Sequence, residues 1–192
     1  MSSQSVPPGF VDAWAFEGEP TLAGPVPRGF RETVVSRVVG HGPDVADRAG
    51  RAVLAWQVHR GSGFVPLQVP DRVEVGAVSL WAIPFGPVRP RVACRVVKVL
   101  VDEPVEGHTG AAGDPGRTRS TGFLHAALVG HPQRGWESYL VTRHLDARVT
   151  LDIRVVWRPG AWWLRLAGPA SGIALRLLLR RNLRALDPVL RD

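Results

Sequence analysis

Apolar and polar positions alternate over short stretches through the middle of the chain, and these stretches end at proline, glycine or aspartate. A period of two places successive side chains on opposite faces of a strand. The pattern predicts a first strand over residues 32–39. It then predicts six consecutive antiparallel strands, over residues 64–69, 73–83, 91–101, 121–128, 136–144 and 148–157.

Two other segments have helical spacing instead. A first helix begins at Pro43, which suits the first helical position, and ends before Gly61. Its apolar positions lie on one face: Val45, Ala49, Ala52, Val53 and Trp56. A long last helix is predicted over residues 161–186, bent at Gly168–Pro169 because proline removes a backbone donor. Arginines recur every four residues along one of its faces, at Arg176, Arg180 and Arg184.

This order of elements predicts an α+β helix-grip fold. A curved antiparallel sheet of about seven strands would surround the long C-terminal helix, with one shorter helix after the first strand and a concave space between sheet and helix. The predicted organisation is an irregular arm over residues 1–31, a single domain over 32–187 and a tail over 188–192. Residues 103–120 are rich in glycine and polar residues and are predicted to be a mobile loop.

Composition narrows the classes of partner. The chain has 192 residues, a formal net charge of +7 and 24 basic residues, of which Lys98 is the single lysine. Because the arginines are dispersed and no aromatic-basic motif accompanies them, a nucleic-acid partner is not favoured. The N-terminus lacks the pattern of a secretion signal and the most apolar segment is interrupted by arginines, so a cytoplasmic protein without a transmembrane segment is expected.

Several short motifs in a fixed order resemble a bacterial and plant family catalogued as a domain of unknown function, number nineteen-ninety. They include AVLAW and VH over residues 52–59, GHP over 130–132 with Glu137, DIR over 152–154, and RRNLRAL over 180–186. The family is similar to the START-like helix-grip (SRPBCC-type) superfamily, so the resemblance implies that fold and no established activity. Trp136 stands where the family usually has an acidic residue.

Glu137 is the first candidate for chemistry. On a strand it shares a face with Tyr139, and a carboxyl group among apolar neighbours would be neutral and able to exchange a proton. His125 lies on the preceding strand and His131 in the turn between them; both are further acid–base candidates. The alternatives are an outward-facing Glu137, an ordinary core or surface His125, and a His131 that fixes the turn.

Other residues are predicted to bind ligand or to be structural. Trp157 and Trp56, with Glu137, Tyr139 and His125, are the candidates for a cavity lining. The spacing of histidine, cysteine and carboxylate residues matches no metal motif, and no fingerprint of a cofactor is present, so neither is predicted. Cys94 within an apolar strand is expected to be inert. Asp152 and Arg154 share a strand face and could form an exposed ion pair, and the alternative is that Arg95 pairs with Asp152 across the sheet.

These observations favour one function and leave two alternatives. The favoured function is binding of a small hydrophobic or amphipathic ligand between the sheet and the last helix. The first alternative, implied by the superfamily resemblance, is a cyclase- or dehydratase-like acid–base enzyme that acts on such a ligand. The second is a basic interaction module whose arginine-bearing last helix contacts an acidic partner.

Overall fold

The structure is a computed structural model, and it describes residues 5–84, 89–104 and 118–191. The strands are β1 (Val11–Trp14), β2 (Arg31–His41), β3 (Val65–Gln68), β4 (Val78–Ala82), β5 (Arg91–Pro104), β6 (Arg119–Val129), β7 (Gln133–Arg143) and β8 (Arg148–Pro159). The helices are α1 (Pro43–Leu54), α2 (Gln57–Gly61), α3 (Trp162–Leu166), α4 (Pro169–Arg184) and α5 (Asp187–Leu190).

The strands form an antiparallel sheet in the order β2-β8-β7-β6-β5-β4-β3, and β1 pairs additionally with β6. Helix α4 packs against β2, β8 and α2, so the C-terminal segment lies across one face of the curved sheet. The predicted α+β helix-grip fold is therefore confirmed. Its consequence for function is that the inner face of the sheet and α4 enclose a common space.

Both predicted helices are interrupted. The first is divided into α1 and α2 at Trp56, whose φ of 61° lies in the left-handed region, and its ring is fully buried (0% exposed). A left-handed residue with a bulky side chain is held there by its surroundings. The last helix is divided into α3 and α4 at Gly168, which has a φ of 51°. These breaks turn α2 and α3 toward the space enclosed by the sheet.

Several strand ends differ from the sequence pattern. β4 begins at Val78 rather than at residue 73, because Gly76, with a φ of 84°, forms a turn before it. β5 continues to Pro104 and β6 starts at Arg119, so both ends of the predicted 103–120 loop lie in strands. Residues 105–117 of that loop lie outside the described residues. The predicted irregular arm contains β1, and α5 occupies the start of the predicted tail.

The sheet buries side chains on both faces. On the inner face the core combines α1, α2 and α4 with side chains from β4 to β8. On the outer face, Phe16 and Phe30 from the N-terminal segment pack against Trp136, with ring centroids 5.1 and 6.1 Å from it. Trp136 also donates a hydrogen bond from Nε1 to the carbonyl of Thr21 at 3.0 Å. Trp136 therefore anchors the N-terminal segment to the sheet.

The expectation of an exposed ion pair between Asp152 and Arg154 is wrong, because both residues are buried, at 2% and 6% exposed. Arg154 donates instead to Glu32 at 2.6 Å and to backbone carbonyls of the N-terminal segment. Asp152 accepts hydrogen bonds from Ser36 at 2.5 Å and from Thr150 at 2.8 Å. The two charges stabilise different long-range contacts rather than each other.

Candidate functional site

A cavity of about 420 Å³ lies between the inner face of the sheet and the C-terminal helices. Strands β4 to β7 form one wall, and α2, α3 and α4 form the others. Most of the lining side chains are apolar, among them Phe64, Trp81, Val92, Leu175 and Leu179. The polar side chains gather where β6 and β7 face α2 and α4. The cavity therefore has an apolar body and one polar wall.

Glu137 is placed on this wall by the register of β6 and β7. It lies directly opposite His125, and the strand period brings Tyr139 to the same face. The Tyr139 hydroxyl donates to Glu137 Oε2 at 2.7 Å. His125 Nε2 lies 3.5 Å from the same oxygen, which is longer than a well-formed hydrogen bond. The structure thus brings together three of the residues that the sequence singled out.

The expectation that burial makes the Glu137 carboxyl neutral is wrong. Burial does raise its pKa, but the neighbouring His125, the hydrogen bond from Tyr139 and the charge of His131 lower it further, to about 2. The Glu137 side chain keeps 24% of its surface exposed. Glu137 is therefore an ionised carboxylate near neutral pH.

His59 is a cavity residue that the sequence analysis did not select. It lies on α2, directly after the break at Trp56, and is 2% exposed. Its ring stacks on Trp81 at 5.3 Å and lies 4.9 Å from the ring of Tyr139. Burial lowers the pKa of His59 to about 3, with His125 acting in the same direction and Glu137 opposing it. The VH motif of the family resemblance was the available signal.

Asn182 was also missed. It lies on α4, is 1% exposed and lines the cavity. Its Nδ2 donates to the Tyr139 hydroxyl at 3.4 Å, whereas its Oδ1 has no hydrogen-bond partner among the described residues. Asn182 lies inside the RRNLRAL motif, and that position was the signal for it.

His131 borders the cavity from the turn between β6 and β7. Its Nδ1 lies 2.8 Å from the backbone carbonyl oxygen of Gln133 and 2.9 Å from the backbone nitrogen of the same residue. Burial lowers the pKa of His131 to about 4, although Glu137 and the backbone of Gln133 act to raise it. Both backbone groups of Gln133 lie within hydrogen-bond distance of this ring nitrogen, so His131 fixes this turn.

The two tryptophans proposed as lining residues lie elsewhere. Trp56 packs behind the wall, with its ring centroid 5.1 Å from that of Phe123 and 5.5 Å from that of His59. Trp157 is 3% exposed and donates from Nε1 to the hydroxyl of Thr33 at 3.3 Å. It borders a separate void of about 10 Å³ rather than the large cavity. Both rings support the site from outside it.

Cys94 lies on the cavity wall contributed by β5. Burial, followed by the charge of Glu137, raises the pKa of its thiol, which disfavours the nucleophilic thiolate. Within residues 5–84, 89–104 and 118–191, no three histidine, cysteine or carboxylate side chains are grouped so that they could hold a metal ion.

Residues 17–185 match the sequence model of a family described as "Domain of unknown function (DUF1990)". The chain belongs to this family. The resemblance drawn from the short motifs is thereby confirmed. All of the cavity residues named above lie within the matched DUF1990 region. No curated protein sequence matches the chain.

Solved structures resemble this DUF1990 chain at low sequence identity. Ara h 8.0201 is 8% identical with a TM-score of 0.49, covering 85% of this chain and 100% of its own. The hypothetical protein jhp0584 of Helicobacter pylori is 11% identical with a TM-score of 0.49, covering 92% and 98%. Major latex-like protein 151 of Panax ginseng is 10% identical with a TM-score of 0.45, covering 81% and 96%.

Across the part of the chain that the structure describes, no helix is long and apolar enough to cross a membrane.

Proposed function

We propose that this DUF1990 protein binds a small, mostly apolar ligand in the cavity between its sheet and α4. The observation that carries the proposal is the cavity itself. Its volume of about 420 Å³ lies within the range of about 300–1,000 Å³ that is typical of small-molecule sites. An apolar body with a few converging polar groups is the usual composition of such sites.

The state of Glu137 favours binding over acid–base catalysis. A general base is most effective when its pKa lies near the working pH. The pKa of Glu137 is about 2 and that of His59 about 3, so neither is matched to proton transfer near neutrality. An ionised carboxylate that accepts from Tyr139 is suited instead to orienting a ligand.

Filling the cavity tests the proposal. Ala174 lines the cavity from α4, so Ala174→Trp places an indole where the ligand would lie. The neutral dye N-phenyl-1-naphthylamine, whose fluorescence rises in apolar surroundings, serves as the probe. We expect the wild-type protein to bind the dye and Ala174→Trp to weaken binding roughly tenfold or more, or about 1.4 kcal/mol.

Leu177→Trp is the matched control, because Leu177 lies on the same helix but is 54% exposed. It should change the dye affinity by less than about twofold, a free-energy difference that would be well under 1 kcal/mol. Equal dye affinities in wild type and Ala174→Trp would contradict the proposal. Native mass spectrometry of the purified protein would show a retained ligand directly.

A second candidate function is binding to an anionic membrane surface through α3 and α4. Trp162 and Leu166 on α3 are 71% and 79% exposed. On α4, Ile173 and Leu177 are also exposed and lie on the same face as Arg176 and Arg180. Exposed tryptophan and leucine beside arginine are typical of segments that lie in a lipid interface.

A further inference from the structure

The polar wall of the cavity presents two hydrogen-bond acceptors, on Glu137 and Asn182. Asn182 donates to the Tyr139 hydroxyl, which in turn donates to Glu137 Oε2. The Asn182 amide and the Tyr139 hydroxyl thus each donate a hydrogen bond to the next member of this series. An acceptor lies at each end: the Glu137 carboxylate at one, and at the other Oδ1 of Asn182, which has no partner among the described residues. A ligand group that binds to these two acceptors must supply donors. Trp81 Nε1 and ring nitrogens of His59 and His125 in the same cavity also have no partner among the described residues.

The charged residues around the cavity also favour a ligand that donates hydrogen bonds. The chain carries 24 basic residues, yet no described arginine or lysine lines the cavity. Arg60, which packs over the Trp81 ring at 5.7 Å, keeps its side chain on the exposed surface. Glu137 is consequently an anion without a guanidinium or ammonium partner in the cavity wall.

His59 and His131 do not supply positive charge to the cavity wall near neutral pH. Burial holds the pKa of His59 at about 3 and that of His131 at about 4, so both rings are neutral near pH 7. His125 is 3% exposed, and its Nε2 lies 3.5 Å from Glu137 Oε2. An anionic ligand would therefore enter a cavity that offers it no counter-charge.

We infer that the cavity selects hydrophobic amines, whose protonated nitrogen donates to Glu137 and Asn182, over hydrophobic carboxylates. This inference rests on the proposed function, because it specifies the class of ligand for the same cavity. A charge-assisted hydrogen bond from an ammonium to a carboxylate is stronger than one from a neutral hydroxyl. The apolar body accepts the hydrocarbon part of each ligand alike, so the selection belongs to the polar wall.

Three ligands with one ring system test the inference: 1-naphthylmethylamine, 1-naphthalenemethanol and 1-naphthoate. Their affinities for the wild-type protein are measured by isothermal titration calorimetry near neutral pH. We expect the amine to bind roughly tenfold or more tighter than the carboxylate, with the alcohol between them, because a tenfold ratio corresponds to about 1.4 kcal/mol. This ranking uses the unaltered protein and needs no variant to fold.

Glu137→Gln keeps the shape of the side chain and removes its charge. It should weaken amine binding roughly tenfold while changing alcohol binding by less than about threefold. Glu74→Gln is the control for the same change of charge, because Glu74 lies on the exposed surface outside the cavity. It should leave all three affinities unchanged.

The outcomes separate the two proposals. If the carboxylate binds as tightly as the amine, or if Glu137→Gln leaves amine binding unchanged while the alcohol still binds, the selectivity is overturned and ligand binding stands. If none of the three ligands binds to the wild-type protein, ligand binding in the cavity is overturned, and the selectivity with it.

Discussion

The ionised state of Glu137 illustrates how neighbours outweigh burial at a single residue. Taken alone, removal from water would raise the pKa of a carboxyl group. Tyr139 and His125 lie at 2.7 and 3.5 Å from Oε2, and with His131 they lower this pKa to about 2. The sequence could place Glu137 and Tyr139 on the same strand face, because the strand period fixes which residues share a face, but it left open whether that face lines the cavity. It could not show that His125, Tyr139 and His131 lie close enough to Glu137 to lower the pKa of its carboxyl group.

The histidines make the stability of the protein depend on pH. The pKa of His59 falls from 6.5 in the unfolded chain to about 3 in the folded one, so the unfolded state binds more protons between these values. The free energy of unfolding must therefore decrease as the pH falls through this window. His131, with a pKa of about 4, acts in the same direction.

We expect His59→Phe to make this pH dependence shallower. Phenylalanine retains an aromatic ring among Trp81, Phe64 and Tyr139 but cannot bind a proton. The slope of the unfolding free energy between roughly pH 6 and 4 should fall by up to about 1.4 kcal/mol per pH unit, the value for one proton. Urea unfolding at a series of pH values measures it. An unchanged slope would mean that His59 is not held neutral in the folded protein.

The helices show where sequence patterns stop being informative about elements. Alternation located β2 and β5 to β8, because each strand carries its own period. The break at Trp56 and the convergence of His59 and Asn182 depend on how α2 and α4 pack against the sheet. Helical spacing identifies which face of α4 is apolar. It does not fix which residue of the sheet that face will meet.

Sequence patterns also could not predict which distant residues Arg154 contacts. Arg154 on β8 and the neighbouring Asp152 appeared from their spacing to be partners. In the structure Arg154 connects β8 to Glu32 on β2 and to the carbonyls of Thr21 and Gly24. These contacts span more than 120 residues of sequence. Arg154 therefore holds the N-terminal segment, which covers the outer face of the sheet.

Arg154→Met should lower the free energy of unfolding by about 2–4 kcal/mol, because several buried hydrogen bonds to a charged group are lost together. It should also speed limited proteolysis before β2. Arg37→Met is the comparison: Arg37 pairs with Asp187 at 2.6 Å, but its side chain is 39% exposed, and exposed pairs contribute about 1 kcal/mol or less. Equal losses from the two variants would contradict this role of Arg154.

At the scale of the molecule, net positive charge is concentrated in the C-terminal segment, and no basic side chain among the described residues lines the cavity. Residues 153–186 contain seven arginines and no acidic residue. Composition gave the net charge of +7 but could not show that the arginines lie outside the cavity, because composition does not specify which surface a side chain occupies. The fold places Arg176 and Arg180 on the solvent face of α4, opposite the side that borders the cavity.

The membrane candidate predicts how this surface behaves. The protein should sediment with vesicles of phosphatidylserine and phosphatidylcholine more than with phosphatidylcholine alone, and added salt should weaken this binding. The double variant Arg176→Gln, Arg180→Gln should lose roughly thirtyfold in affinity, because each basic residue near the surface contributes about 1 kcal/mol. Arg51→Gln, an exposed position on α1, is the control. Binding indifferent to salt and to vesicle charge would exclude this candidate.

The position of Cys94 gives the molecule a built-in reporter. The chain contains one cysteine, and this residue lines the cavity, so a thiol-reactive dye has a single attachment point beside any bound ligand. The raised pKa of this thiol makes the unassisted reaction slow. The rate of labelling thereby becomes a gauge of how often the interior opens to solvent, and an occupant shielding the sulfur would slow it further.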